Sequence, residues 1–415
     1  MSSFYKVLGV EQKMRKKYLR LLIILLLAVA LLVIVSCKPD RKNPQNVEPT
    51  SAPTTAPGNQ ASAGQPTITP EPQASQDQPG ITPDPGNQPT TAPVPTTPAP
   101  SKVTPIPVDY AAVKPNEIGE IPIAMFHNFV ENLEDTTDNE FTTSFSAFEQ
   151  LLETLYAQDY RLISMRDFID HQISVPAGKI PMVFTFDDGS VGQFNLIEEN
   201  GTLVVNPKSA VGIMMAFHEK HPDFGLKGIF YLNMDKELKT FEGKGTLEER
   251  LNILLDLGFE VGNHTWGHFN LTTAKDKAQI QEKMGKNEKR ISEVLPQVRF
   301  YSLALPFGGK APEELADAVV QGNYEGISYQ NETIMAVGYL PSVPSIHQDY
   351  DPTYVRRIRS SGKVDIQFDL GYWLPLMTRD RMYISDGDPN TVTVPAGKEG
   401  KINTGKLNGK NLVVY

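Results

Sequence analysis

Cysteine is all but missing from this chain. One is present among 415 residues, Cys37, so no internal disulfide can form. Tryptophan occurs only twice, and no repeat of fixed period is present. Positive charge is short as well: 39 Lys and Arg stand against 49 Asp and Glu, a formal net charge of −10. A chain of that sign is a poor partner for nucleic acid or other polyanions, so any carbohydrate it meets must be recognised locally. Hydrophobic residues make up 40%, enough for a core, and the length allows one large domain or two smaller ones.

Residues 1–36 hold an unbroken apolar run. Lys13, Arg15, Lys16, Lys17 and Arg20 precede "LLIILLLAVALLVIVS", and Cys37 follows it. A basic cluster before an apolar run is the layout of an export signal. The run is short for a relaxed membrane span, though a helix starting at Tyr18 would just cross. Its end, "IVSC", resembles the bacterial lipoprotein signal, which implies a lipidated Cys37 as the new N-terminus and membrane anchorage through it. The alternative is an uncleaved signal anchor. Both place the remainder beyond the cytoplasmic membrane, on its outer face, towards the cell wall or exterior. Residues 1–36 carry six basic side chains and one acid, so without them the formal charge is −15.

Residues 37–115 have almost no aromatics and hold 19 of the 33 prolines. Such a stretch buries too little apolar surface to offset its ordering entropy and reads as a semi-extended Pro/Thr-rich tether. Residues 116–377 read as a globular domain and 378–415 as a turn-rich, β-forming tail. Within the domain "IPIAMFH", "RLISM", "MVFTF", "LKGIFYL", "FEVGNH" and "FYSLALPFG" are apolar strand-like runs. Between them lie helical segments such as "SFSAFEQLLETLYAQDY", where Phe148, Leu151, Leu152 and Leu155 share a face. The alternation predicts an α/β fold with a parallel sheet, barrel or doubly wound.

Parallel α/β folds gather reactive groups at strand C-termini. Asp187 and Asp188 end "VFTFDDGS", and "GNHTWGH" (262–268), "ALPFG" (304–308) and "AMFHNF" (124–129) stand at three other strand ends. His264 and His268 are four apart, a spacing that lets two imidazoles and one carboxylate make a three-ligand metal site with an open position. A metal there would lower the pKa of bound water and polarise a carbonyl. The second aspartate is then free to act as general base, and a bound cation offsets the repulsion of two adjacent acids. Taken singly, an Asp-Asp-Gly is a strand-ending turn and an HxxxH pair is surface or structural; their joint placement on consecutive units is what points to chemistry.

"TFDDG" with "HTWGH" resembles the polysaccharide deacetylase family, the NodB-homology or carbohydrate esterase 4 group. The resemblance covers roughly residues 118–360 and includes "IPIAMFHNF" and the helix and strand after it. It implies a distorted (β/α) barrel and hydrolysis of N-acetyl groups from amino sugars, with an N-acetylated polysaccharide as partner. By position it implies Asp187 as base and Asp188, His264 and His268 as ligands of one divalent ion, zinc foremost, with cobalt or nickel as other fits. It also implies that "LPFG", with Pro306 and Phe307, lines the oxyanion and substrate site.

The pattern departs from the family twice. Ala304 stands where the third motif commonly has arginine, and no histidine follows His347 to match the late general acid. Both departures resemble the poly-N-acetylglucosamine deacetylase-like branch, which implies His127 as the general acid and Arg357, in "YVRRIRS", as the group orienting the base. The other readings are a hydrogen-bonded structural histidine and a surface arginine. "ENGT" between "FNLIE" and "LVVN" predicts a hairpin, expected beside the mouth as a wall of the substrate groove or else as a surface insertion. His218 and His221 read as solvated helix-end residues, and Trp266 as packing. Two other functions stay open: removal of O-acetyl groups from glycans, and glycan binding without catalysis.

Overall fold

A computed structural model describes residues 108–137, 140–363 and 366–415. The export signal and most of the expected tether lie outside these residues. Among the described residues no helix is long and apolar enough to cross a membrane.

Among the described residues sixteen strands run in chain order: β1 Ile123–Phe126, β2 Asn128–Val130, β3 Thr142–Ser144, β4 Tyr160–Leu162, β5 Ile180–Asp188, β6 Leu196–Glu199, β7 Thr202–Val205 and β8 Ile229–Leu232. There follow β9 Glu260–Asn263, β10 Ser302–Ala304, β11 Gln321–Tyr324, β12 Ile327–Gln330, β13 Thr333–Met335, β14 Ile358–Arg359, β15 Thr391–Val394 and β16 Asn411–Val414. The main sheet has the order β13-β10-β9-β8-β5-β1-β14, with β4 also on β5, and its pairings are parallel. It curls far enough for one segment to touch both edges. Val355 bridges Met335 at the β13 edge, and three residues later Ile358 pairs with Ala124 of β1. This is the distorted barrel expected from the sequence.

β5 shows why the strands read as unbroken apolar runs. Phe184 and Phe186 face the outer layer with Phe148, Leu152 and Leu155 of the helix Phe145–Ala157. Val183 faces inward with Ile123, Ile229, Tyr231, Ala304, Met335 and Val355. A parallel strand covered on both faces has no polar face to show. The helices start where the chain offers caps. Ser144, Ser209 and Asp276 accept from the third residue after each, and Thr246 forms a capping box with Glu249.

The expected hairpin is β6–β7, antiparallel around Asn200 and Gly201 at φ 51° and 78°, the turn that an Asn-Gly pair favours. The tail packs against the domain. Asn116 and Glu120 bridge Ile384 and Met382, and Tyr383 joins the inner cluster. β15 and β16 pair in parallel, and Val392 and Val394 bury with Ile118 and Ile346. The last residues expected in the tether are ordered as well. Asp109 caps the short helix Tyr110–Val113, the Tyr110 ring lies 5.2 Å from that of Tyr415, and Tyr415 Oη donates to the Pro115 carbonyl. His218 and His221 are half-buried, and His221 lies 4.2 Å from the Tyr156 ring, so His221 packs at the helix end instead of standing in solvent.

Candidate active site

The C-terminal ends of β1, β5, β9 and β10 meet at one mouth. Neighbouring side chains of a strand point to opposite faces, so Asp187 and Asp188 should diverge. They do not, because Asp188 leaves the extended conformation at φ 81°. Asp187 points into the barrel and is fully buried, while Asp188 is turned to the rim.

Asp188 meets both histidines. Its Oδ1 lies 3.3 Å from His264 Nε2 and 3.4 Å from His268 Nε2. One ligand atom from each of the three lies within 4.8 Å of the others. His264 Nδ1 lies 2.9 Å from the Ala304 carbonyl. A carbonyl only accepts, so Nδ1 carries the proton and Nε2 presents a lone pair. That buried Nε2 has no hydrogen-bond partner. An unpartnered lone pair beside a carboxylate and a second imidazole fits a divalent cation, and the Nδ1–H bond to a carbonyl is the support that ligating histidines use.

The loop carrying the histidines is held under strain. Thr265, β-branched, sits at φ 58° and His268 at φ 50°. Thr265 N–H donates to Asn263 Oδ1 at 2.8 Å, and Thr265 Oγ1 accepts from Phe269 N–H at 2.7 Å. Asn287, buried on the helix Lys277–Val294, donates to Asn263 Oδ1 and to the Leu232 carbonyl and accepts from Met234 N–H. Such conformations persist only where surroundings over-determine them. Gly262 is required just upstream, since a Cβ there would lie 2.6 Å from the Tyr231 ring.

Asp187 has different company. Arg357 is completely buried and donates Nη1 to Oδ1 at 2.7 Å and Nη2 to Oδ2 at 2.8 Å. Its Nε donates to the Ala336 carbonyl at 2.8 Å, and Nη1 also reaches Thr185 Oγ1. Burial pushes the Asp187 carboxyl up, but the Arg357 charge overrides it and holds it below its ordinary value. Asp188 is likewise pushed up by burial and brought well below by the two histidines and His127. Arg357 thus reaches the Asp187 carboxylate from the residue before β14, and an arginine at Ala304 is not needed for that contact. His127 Nε2 lies 3.7 Å from Asp187 Oδ2, its ring is edge-on to Phe141 at 4.8 Å, and burial pushes its pKa down. Pro306 is buried, while Phe307 is 68% exposed at φ 58°, its ring 4.5 Å from that of His268. The structure therefore brings all eight expected residues to one mouth.

Gln193 was not expected there. Fully buried, it donates Nε2 to both the Asp187 and the His127 carbonyls and so ties two strand ends together. Nothing in the sequence marks it beyond its place five residues after the second acid. The β6–β7 hairpin leaves from this stem, and Lys244 N–H donates to the Leu196 carbonyl. Replacing residues 197–204 by a short link keeps Gln193. It is expected to lower activity on polymer several-fold more than activity on a small acetyl ester. Equal losses on both would remove the hairpin from substrate contact.

Residues 174–327 match the polysaccharide deacetylase family model, a span that includes both acids, both histidines, Pro306 and Phe307 but neither His127 nor Arg357. No curated protein matches the chain. Among solved structures, the Streptococcus pyogenes deacetylase PplD in complex with acetate is 17% identical over 58% of this chain and 92% of its own, with a TM-score of 0.43. The Bacillus cereus polysaccharide deacetylase BC0361 is 17% identical over 58% and 64%, TM-score 0.42. A de-N-acetylase from Aggregatibacter actinomycetemcomitans is 13% identical over 57% and 94%, TM-score 0.40.

Proposed function

We propose that this polysaccharide deacetylase domain is a metal-dependent N-deacetylase, removing N-acetyl groups from the amino sugars of a cell-envelope or extracellular polysaccharide and releasing acetate. The observation that carries the reading is a three-ligand cluster placed beside a separate, buried and arginine-clamped carboxylate in one mouth. A divalent ion held by Asp188, His264 and His268, zinc foremost and cobalt or nickel as alternatives, would acidify water and polarise the acetyl carbonyl. Asp187 takes the proton of the attacking water. Arg357 holds that carboxylate anionic and in place. The Phe307 backbone N–H donates to the oxyanion of the tetrahedral intermediate, Pro306 fixing the turn that presents it. His127 returns a proton to the leaving amine nitrogen, and the C–N bond breaks to acetate and a free amine. The export-signal reading supports placement on the outer face of the bacterial cytoplasmic membrane, anchored through lipidated Cys37.

The test is acetate release from a panel of defined N-acetylated and O-acetylated glycans, with and without chelator. Release from N-acetylated members is expected, falling at least 100-fold on chelation and in Asp188→Ala. Release from O-acetylated members alone would make the protein an esterase. No release from any glycan, with metal bound, would leave glycan binding as its function.

A further inference from the structure

Among the described residues few large apolar side chains are exposed, and two aromatic groups stand among them. Phe307 stands against His268 at the mouth. The second group is Tyr339, 59% exposed, and Phe368, 39% exposed, their ring centroids 5.8 Å apart, with Tyr372 a further 5.5 Å from Phe368. Contacts run from this group to the reacting residues by two routes. Tyr339 bridges Ile358, and a Cβ on its neighbour Gly338 would lie 2.4 Å from the Arg357 carbonyl. Phe368 adjoins Asp369, whose Oδ2 lies 3.6 Å from Arg359 Nε. The Arg359 guanidinium in turn lies over the Phe141 ring that packs on His127.

Exposing these rings costs hydrophobic free energy, and Phe368 is also held at φ 66°, a conformation that a bulky residue rarely adopts. We propose that Tyr339 and Phe368, backed by Tyr372, form a shelf that stacks on pyranose rings flanking the reacting sugar, so that the site prefers a chain of several neutral N-acetylated residues to a single sugar. A flat aromatic face matches the C–H face of a pyranose. The acidic chain disfavours a polyanionic occupant. The inference rests on the deacetylase reading for its substrate class, but binding alone tests it.

Trp373 Nε1 donates to the Tyr339 carbonyl at 2.8 Å, so tryptophan fluorescence reports on the shelf, and a side-chain change at Tyr339 leaves that backbone contact in place. Titration with the N-acetylglucosamine pentamer is expected to saturate in the wild type. It should need at least tenfold more ligand in Tyr339→Ala/Phe368→Ala and near-normal amounts in Tyr339→Phe. In turnover, the ratio of pentamer to dimer kcat/KM should fall about tenfold in the double Ala variant. Wild-type binding that is absent, or equal in the double variant, overturns the shelf. Saturable, shelf-dependent binding without acetate release would uphold the shelf while overturning the deacetylase reading.

Discussion

Arg357→Met is expected to abolish measurable deacetylation and to lower the unfolding free energy by roughly 3–5 kcal/mol, the cost of stranding one partner of a buried ion pair. Both Asp187 oxygens accept from Arg357, and neither residue is exposed. The pH dependence distinguishes this from lost packing. In the wild type, burial raises the Asp187 pKa, but Arg357 overrides it and the folded value lies below the ordinary one. Stability from the pair is then present above the unfolded carboxylate pKa and lost as pH falls through the folded value. With methionine at 357 burial loses its main opponent, the folded pKa rises above the unfolded one, and stability is lost as pH rises. The Tm deficit of the variant should therefore widen from pH 5 to pH 8 in thermal unfolding. Adding Asp187→Asn removes the stranded charge and should recover much of the Tm at pH 8 but none of the activity. A deficit that is the same at both pH values would mean that Arg357 acts by packing alone.

The elements legible in the sequence were those with long apolar runs or a strong period. "MVFTF" marked the core strand, and Phe148, Leu151, Leu152 and Leu155 marked the face that the helix Phe145–Ala157 buries. The short strands were not legible. β13 and β14 have three and two residues, too few for a pattern, yet they close the curl and place Arg357. The paired acids and the histidine spacing pointed to the cluster of Asp188, His264 and His268 because convergence of four strand ends is a property of the fold class. Gln193, Asn263 and Asn287 were not legible for a physical reason: amides bonded to backbone groups far off in sequence leave no periodic or motif-like trace. Nor did the adjacency of Asp187 and Asp188 explain itself. The positive φ at Asp188 lets both acids serve one mouth, and that conformation was not readable from residue types.

His127→Ala is expected to lower kcat on N-acetylated glycan by about 10²–10⁴-fold with metal content unchanged. A structural histidine would have its ring nitrogens bonded, whereas His127 Nδ1 is buried without a partner and Nε2 faces Asp187 Oδ2 at 3.7 Å. What is held firmly is its backbone, whose carbonyl accepts from Gln193 and, at 3.3 Å, from Ser190 Oγ. Burial pushes its imidazole pKa down, so as the proposed acid His127 would take up its proton during the reaction. In the proposed mechanism Asp187, protonated by the attacking water, would be the source of that proton, its Oδ2 3.7 Å from Nε2. The relay is needed only when the departing group is a poor one. An amine leaving a tetrahedral intermediate requires protonation; a nitrophenolate does not. The variant should thus lose far less rate on 4-nitrophenyl acetate than on the glycan, a difference visible in parallel steady-state assays. Equal losses on the two would make His127 a positioning residue, and full activity on the glycan would assign the acid elsewhere.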